Sequence, residues 1–222
     1  MRRLDSLLLV PGVCLASVAL VPSQAMAHPV TVTASAFAGG MFHSFGGLDH
    51  ALAMIGVGLL STRLQRFDIF LLPATFLVFL ALGAGVGYSG LGIRFAESAV
   101  ATSCLALGSC ILSPRLQRYR SSIFGIVASF AAVHGYVHLA ELPAGFDVGQ
   151  YTIGFICASA IMHLIGVFIG EAFRDREHLW LVHILGAAMV VFGSLFLIRS
   201  LRTEAPVAPL IDGASERFEV RS

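Results

Sequence analysis

Two histidines and an aspartate open a long apolar stretch, in the order His43-Ser-Phe-Gly-Gly-Leu-Asp49-His50, and the stretch then runs on to Leu60. An acidic residue in the middle of a lipid bilayer costs about 3 kcal/mol on insertion scales. Ionisable residues within a membrane span therefore usually mark the path of an ion or a substrate. Imidazole nitrogens and carboxylate oxygens without thiolates suit Ni²⁺, Co²⁺, Zn²⁺ or Cu²⁺ better than Mg²⁺ or Ca²⁺.

The spacing of these residues divides them. A regular helix would place His43 and His50 about 20° apart around its axis, two turns from each other. Asp49 would then lie about 120° from His43, away from any path that the two histidines share. Two interpretations stay open: Asp49 orients an imidazole from behind, or the helix is irregular. Irregularity costs least at Gly46-Gly47, between the histidines.

A second set of metal-binding side chains stands in a later apolar segment. His134, His138 and Glu141 are spaced i, i+4, i+7 and so form one stripe of a helix, which Pro143 then ends. An i, i+4 histidine pair is a recurrent metal-chelating geometry. His163 lies near the middle of the next segment. Any one of these histidines could be a core residue bonded to a neighbouring helix, but together they favour a metal path.

The elements that carry these residues are predicted to be membrane helices. The chain is 57% hydrophobic and 12% charged, with a mean hydropathy of +0.85, whereas soluble domains contain about 25% charged residues. Six segments reach the length of about 20 apolar residues that a span needs: Phe37 to Ser61, Ile69 to Tyr88, Phe95 to Ser113, Ser121 to Leu142, Tyr151 to Ala172 and Leu179 to Arg199. The sequence thus predicts an all-α membrane protein, a six-transmembrane-helix bundle in one domain over residues 28–202. Residues 203–222 lack periodicity and are predicted to be a disordered tail.

The first 27 residues are predicted to be a cleaved signal peptide. Two arginines precede an apolar run over residues 7–21, and Ala25-Met-Ala27 is an A-x-A cleavage site. The alternative is an uncleaved first span, which the short apolar core disfavours. Cleavage would make His28 the first residue, whose terminal amine and imidazole could capture a divalent metal ion together.

The arginines predict the orientation in the membrane. The first, third and fifth loops carry seven arginines, the second carries one and the fourth none. Because cytoplasmic loops are enriched in positive residues, the odd loops are expected to face the cytoplasm. The mature N-terminus and the C-terminus would then be periplasmic, in a multi-pass protein of the bacterial inner membrane.

At this point the motifs resemble those of a known family. The octet from His43 to His50 is similar to the H-P-x-x-G-x-D-H signature of the HupE/UreJ family of bacterial nickel/cobalt permeases. The segment from His134 to Pro143 resembles that family's H-G-x-x-H-x-x-E-x-P motif, and Met162-His163 resembles its histidine motif on the fifth span. Ser44 stands where proline is usual, so a kink imposed by proline is not assumed. The resemblance covers the mature chain to about Arg199.

The resemblance implies a secondary permease that brings Ni²⁺ or Co²⁺ into the cytoplasm, with the ion as transported substrate and no permanently bound cofactor. The expected metal-binding residues are His28, His43, Asp49, His50, His134, His138, Glu141 and His163.

Other classes of function are less well supported by the sequence. The formal net charge of +1 argues against nucleic acid as a partner, and the chain contains no G-x-x-x-x-G-K-[ST] motif for ATP. The expected partners are a divalent transition-metal ion and the lipid bilayer, and a homo-oligomer is left open. The protein is predicted not to be an enzyme. The alternative is an intramembrane metal-dependent hydrolase, in which His and Asp side chains hold a metal-activated water. A serine–histidine pair is another form of the hydrolase alternative, and Ser89 superficially resembles the serine motif of rhomboid proteases. A metal sensor or a structural subunit is a third alternative.

Overall fold

The structure, a computed structural model, describes residues 35–93, 95–175 and 177–203 and is all-helical over them. The predicted signal peptide, His28 and the predicted tail beyond Thr203 lie outside the described residues. In chain order the helices are α1 Ala36–Gly46, α2 Leu48–Ser61, α3 Asp68–Tyr88, α4 Ala96–Leu112, α5 Arg120–Ala140, α6 Val148–Ala172 and α7 Leu179–Thr203. A short 3₁₀ turn, Leu116–Arg118, lies between α4 and α5.

Local sequence signals explain several of the helix ends. The Ser35 hydroxyl accepts a hydrogen bond from the Ala38 amide at 3.3 Å, which caps the start of α1. The Asp147 carboxylate caps α6 in the same way, accepting from the Gln150 amide at 2.8 Å. Pro143 follows α5 closely, as predicted, because proline cannot continue a helix.

Among the described residues, four helices, α3, α5, α6 and α7, are long and apolar enough to cross a membrane, and the count rises to five if α1 and α2 form one bent span. Helix α4 is apolar but shorter, at 17 residues. These bounds lie close to the predicted segments, with one correction. The first segment is not one regular span from Phe37 to Ser61, because α1 and α2 meet at an angle of 83° on either side of Gly47.

Close helix packing depends on glycines that face a neighbouring backbone. A Cβ atom on Gly135 of α5 would collide with the Leu80 carbonyl of α3, and one on Gly166 of α6 would collide with the Ile55 carbonyl of α2. Gly154 of α6 meets the Phe37 carbonyl of α1 in the same way. Such small residues let helix axes approach closely in a membrane protein. They hold α1 and α2 against α6, and α3 against α5; the buried histidines stand on α2, α5 and α6 of this group.

The loops meet at two opposite ends of the bundle. At one, Arg63 donates to the Phe173 carbonyl at 3.3 Å, and Arg120 pairs with Asp68. We call this the arginine end; it comprises the connections after α2, α4 and α6. At the other, the Tyr136 hydroxyl accepts from the Ile93 amide and donates to the Leu91 carbonyl.

Candidate metal site

The bend between α1 and α2 shapes the first part of the site. Gly47 is extended, with φ −89° and ψ 109°, so α2 starts anew at Leu48. A Cβ atom on Gly47 would lie 2.9 Å from His50 Nδ1 and 3.1 Å from Asp49 Oδ1. Because Gly47 has no Cβ atom, the side chains of Asp49 and His50 can approach each other above the backbone at this position.

Asp49 and His50 form a carboxylate–imidazole pair in the first turn of α2. Asp49 Oδ1 lies 3.1 Å from His50 Nδ1 and accepts from the His50 amide at 3.0 Å. A carboxylate only accepts, so His50 Nδ1 carries a proton, and in the neutral imidazole Nε2 then keeps its lone pair. This is the arrangement in which a carboxylate orients a metal-binding histidine. His50 Nε2 is buried and has no partner among the described residues.

His134 on α5 presents a nitrogen in the same way. Its Nδ1 lies 2.8 Å from the Phe130 carbonyl oxygen, which can only accept, so Nδ1 carries the proton and Nε2 the lone pair. One turn on, His138 is stacked on the Phe155 ring at 4.9 Å between centroids. Neither ring nitrogen of His138, nor His134 Nε2, has a partner within the described part of the chain. Orphaned buried polar atoms of this kind are costly and call for a functional explanation.

The four histidines of the two motifs form a continuous series of ring contacts. The centroid of His138 lies 5.1 Å from that of His43 and 4.9 Å from that of His50, and His50 lies 5.1 Å from His134. Two imidazoles that bind one ion through nitrogens at about 2.0–2.1 Å have ring centres about 4.5–5.2 Å apart, for angles of about 90–110° at the ion. Each neighbouring pair is therefore spaced to share an ion after rotation of its side chains. We call His43, His50, His134 and His138 the histidine series.

Glu141 and His43 stand at the more exposed end of this series. Their side chains approach to 3.6 Å between Glu141 Oε2 and His43 Nε2, and that of Glu141 is 51% exposed. Burial raises the pKa of the Glu141 carboxyl; the nearby His50 lowers it and Asp49 raises it further. Glu141 thus adds a carboxyl group at the more exposed end of the histidines that contact one another.

His163 is separated from the histidine series by an aromatic ring. The Phe76 ring contacts His134 at 5.6 Å on one side and His163 at 4.8 Å on the other. Both ring nitrogens of His163 are buried without a partner in the described residues. Among these residues, no group of three or more His, Cys, Asp or Glu side chains is arranged as a ready-made metal site. The donors are paired along a line instead.

Sequence reasoning missed three aromatic residues of the site. Phe76 and Phe155 carry no sequence signal that separates them from the chain's other phenylalanines. Tyr151 is 1% exposed, its ring lies 6.1 Å from His43, and its hydroxyl has no partner in the described residues. Its one signal is a phenol near the start of an apolar segment. Of the eight predicted residues, the structure brings six together and sets His163 behind Phe76, while His28 lies outside the described residues.

The comparisons with known proteins agree with these motifs. The family model described as HupE / UreJ protein matches residues 16–196. The chain is 31% identical over 185 residues to "Protein HupE" of Rhizobium leguminosarum bv. viciae, an alignment that covers 83% of this chain and 95% of that protein. No solved structure matches. With a family model spanning most of its length and a relative this similar, the chain belongs to the HupE/UreJ family.

Proposed function

We propose that the protein is a secondary permease that moves Ni²⁺, Co²⁺ or both across the inner membrane into the cytoplasm. The observation that carries the proposal is the contact series of His50, His134 and His138. Each of them is buried in an apolar helical bundle with at least one ring nitrogen unpartnered among the described residues. The HupE/UreJ family is generally one of nickel and cobalt transport. Imidazole donors fit these ions.

The proposed route follows the order of the contacts. The ion enters beside Glu141 and His43, passes to His138 and His50, and reaches His134. It then moves past Phe76 to His163, and His28 is proposed as a capture site ahead of the mouth. Binding along such a route must be spread over several sites, each weak enough to release the ion. Successive pairs of histidine donors meet this need for weak, distributed binding better than one site with four or more ligands around the ion would.

The proposed membrane arrangement has six spans. It counts the bent pair α1–α2 as one span and includes α4, whose 17 residues are about 25 Å long, slightly short of a hydrocarbon core of about 30 Å. Two helices that meet at a break within the membrane are a recurrent feature of transporters at their binding sites. The periplasmic placement of both termini and of the Glu141 mouth rests on the distribution of the arginines.

The hydrolase alternative gains no support from the residues described. Ser89 is exposed, and its hydroxyl donates to the Val86 carbonyl at 2.6 Å, so it is engaged with its own helix end. We therefore keep the proposal of a transport path and assign no catalytic role to Ser89.

Uptake of radiolabelled Ni²⁺ and Co²⁺ by cells that express the protein tests the proposal. His134→Gln removes a central donor, and we expect a loss of about tenfold or more in the initial rate for the preferred ion. The matched control is His183→Gln, a half-buried histidine on α7 outside the ring contacts of the series. Membrane levels of each variant are measured by immunoblot. If His134→Gln cells accumulate both ions at the control rate, the proposal is wrong.

A further inference from the structure

A cavity of about 340 Å³ opens at the arginine end, between the loop after α2 and the 3₁₀ turn before α5. Three arginines line it, Arg63, Arg118 and Arg120, together with the amide-bearing residues Gln65 and Gln117, and none of the described residues that line it is acidic. A space of this size holds on the order of ten water molecules. It therefore admits an anion such as phosphate with part of its hydration shell.

Hydrogen bonds fix both walls of this cavity. On one side, the Gln117 amide donates to the Cys110 carbonyl at 3.0 Å, which holds the 3₁₀ turn against the end of α4. On the other, the Gln65 backbone amide donates to Asp68 at 3.0 Å, and Arg63 donates to the Phe173 carbonyl at 3.3 Å. The arginines are thus presented by held loops, which lowers the ordering cost of binding a ligand between them.

Arg120 and Arg63 differ in how many of their guanidinium N–H groups find hydrogen-bond acceptors within the described residues. Arg120 is engaged in a two-pronged pair with Asp68, at 2.6 Å from Nη2 and 2.8 Å from Nε. Arg63 has a buried Nε with no acceptor in the described residues. Burial lowers the pKa of the Arg63 guanidinium, and the positive charge of Arg174 acts in the same direction, with Glu171 opposing it. Even with the buried Asp68 charge counted, the cavity keeps an excess of positive charge.

The partial charges at the helix ends do not account for the positive electrostatic potential of the cavity. Helices α3 and α5 begin at this end of the bundle and α2 and α4 end there, so their partial terminal charges of opposite sign largely offset one another. The arginine side chains therefore decide the sign. Guanidinium groups bind phosphate oxygens through two parallel hydrogen bonds, which makes a cluster of them selective for that chemistry.

The position of the cavity indicates where such an anion would come from. Phe67 and Tyr119 directly precede α3 and α5 and are 68% and 66% exposed. Aromatic residues at helix ends are typical of the headgroup level of a membrane, where anionic phospholipids present their phosphates. We propose that this cavity is a binding site for a phosphate-bearing anion, and that its occupant in the membrane is the headgroup of an anionic phospholipid.

The site is separate from general attraction of arginines to the cytoplasmic leaflet. Arg66 and Arg115 stand on the same two connections and are exposed, but they do not line the cavity. They contribute the same charge to the surface as Arg63 and Arg118 do. This difference supplies a matched control.

The test measures the thermal unfolding temperature of the full chain, purified in neutral detergent, with phosphatidylglycerol or phosphatidylcholine added. We expect phosphatidylglycerol to raise the unfolding temperature of the wild type and of Arg115→Gln by the same amount. Arg118→Gln should lose at least half of that shift, and Arg63→Gln/Arg118→Gln should lose more than Arg66→Gln/Arg115→Gln. Arg118→Gln removes no hydrogen bond of the described residues, so it keeps the test valid if the double variant fails to fold.

A parallel series with inorganic phosphate against chloride, at matched ionic strength, separates the two sources of phosphate. A shift from phosphatidylglycerol alone supports the lipid headgroup, whereas an equal shift from inorganic phosphate that requires Arg118 supports the site and overturns the lipid as its occupant. If Arg115→Gln and Arg118→Gln lose the shift equally, or if neither probe stabilises the wild type, the cavity is not a phosphate site. No metal ion enters this test, so its result is independent of the proposed transport.

Discussion

At the scale of single residues, the position of Asp49 favours one of the two roles that helix geometry leaves open, the orientation of an imidazole. Its Oδ1 lies 3.1 Å from His50 Nδ1, so it holds the imidazole by that nitrogen. The other nitrogen of His50 then carries the lone pair, at a ring 4.9 Å from His138. Asp49 is thus placed to orient a donor and to raise its basicity.

This role predicts a graded response to substitution at position 49. Asp49→Asn keeps an oxygen that can accept from His50 Nδ1–H, so we expect the half-saturating concentration of Ni²⁺ or Co²⁺ in uptake to rise by about 10- to 100-fold. Asp49→Ala removes the acceptor and should cost more. Glu171→Gln, an exposed carboxylate change on α6, is the control. Equal and complete loss in both Asp49 variants would contradict the orienting role and make the carboxylate a direct ligand.

The buried hydroxyl of Tyr151 is one of the polar groups that have no hydrogen-bond partner in the described residues. Because it has no partner in the described residues, Tyr151→Phe should raise the free energy of unfolding by about 1 kcal/mol while lowering metal uptake. Tyr136→Phe is the matched control, since its hydroxyl bonds Leu91 and Ile93, and it should lower stability by about 0.5–1.5 kcal/mol. Thermal unfolding and uptake of both variants check this. A destabilised Tyr151→Phe protein would show that the hydroxyl already has a structural partner.

At the scale of helices, the sequence predicts where each helix lies along the chain well, but it does not predict the angle between consecutive helices. The stripe of His134 and His138 follows from a regular period, and α5 keeps that period. His43 and His50 do contact one common partner, His138, but the regular-helix argument for their shared face fails because the chain bends by 83° at Gly47. A glycine pair shows where a break is cheap, while its angle depends on packing against α6 that no local pattern encodes.

Packing of α5 against α3 gives a prediction in which one helix supplies both the test and its control. A Cβ atom on Gly135 would meet the Leu80 carbonyl and lie 2.8 Å from the Ala84 amide nitrogen, whereas one on Gly125 would meet nothing within 4 Å. Gly135→Ala should lower the free energy of unfolding by about 1–3 kcal/mol. Gly125→Ala should raise it by about 0.5–1 kcal/mol, since alanine favours a helix. Thermal unfolding in detergent measures both; equal shifts would mean that α3 and α5 are not in close contact at Gly135.

At the scale of the whole molecule, the arginine-rich connections gather at one end of the bundle, while Arg199 and Arg202, in the last turns of α7, stand towards the other. The three connections with seven arginines in the sequence meet at one end, where Arg63 reaches Phe173 and Arg120 reaches Asp68. Glu141 and His43 lie in the half that holds the connection after α5, which has no arginine. These contacts show that the arginine-rich connections lie at the same end of the bundle, which is compatible with the predicted orientation. The distribution of charges in the sequence could not show that these connections touch one another.

This polarity predicts which residues can be reached from outside the cell. In a chain with all four cysteines, Cys14, Cys104, Cys110 and Cys157, replaced by alanine, we introduce a single cysteine as Ala144→Cys, beside the Glu141 mouth, or as Arg115→Cys, at the arginine end; both positions are exposed. Because positive loops stay in the cytoplasm, a membrane-impermeant maleimide should label Ala144→Cys in spheroplasts and Arg115→Cys only after permeabilisation. The cysteine-free chain is the control for background labelling. The reverse pattern would place the mouth on the cytoplasmic side, and the direction of the proposed route would then have to be inverted.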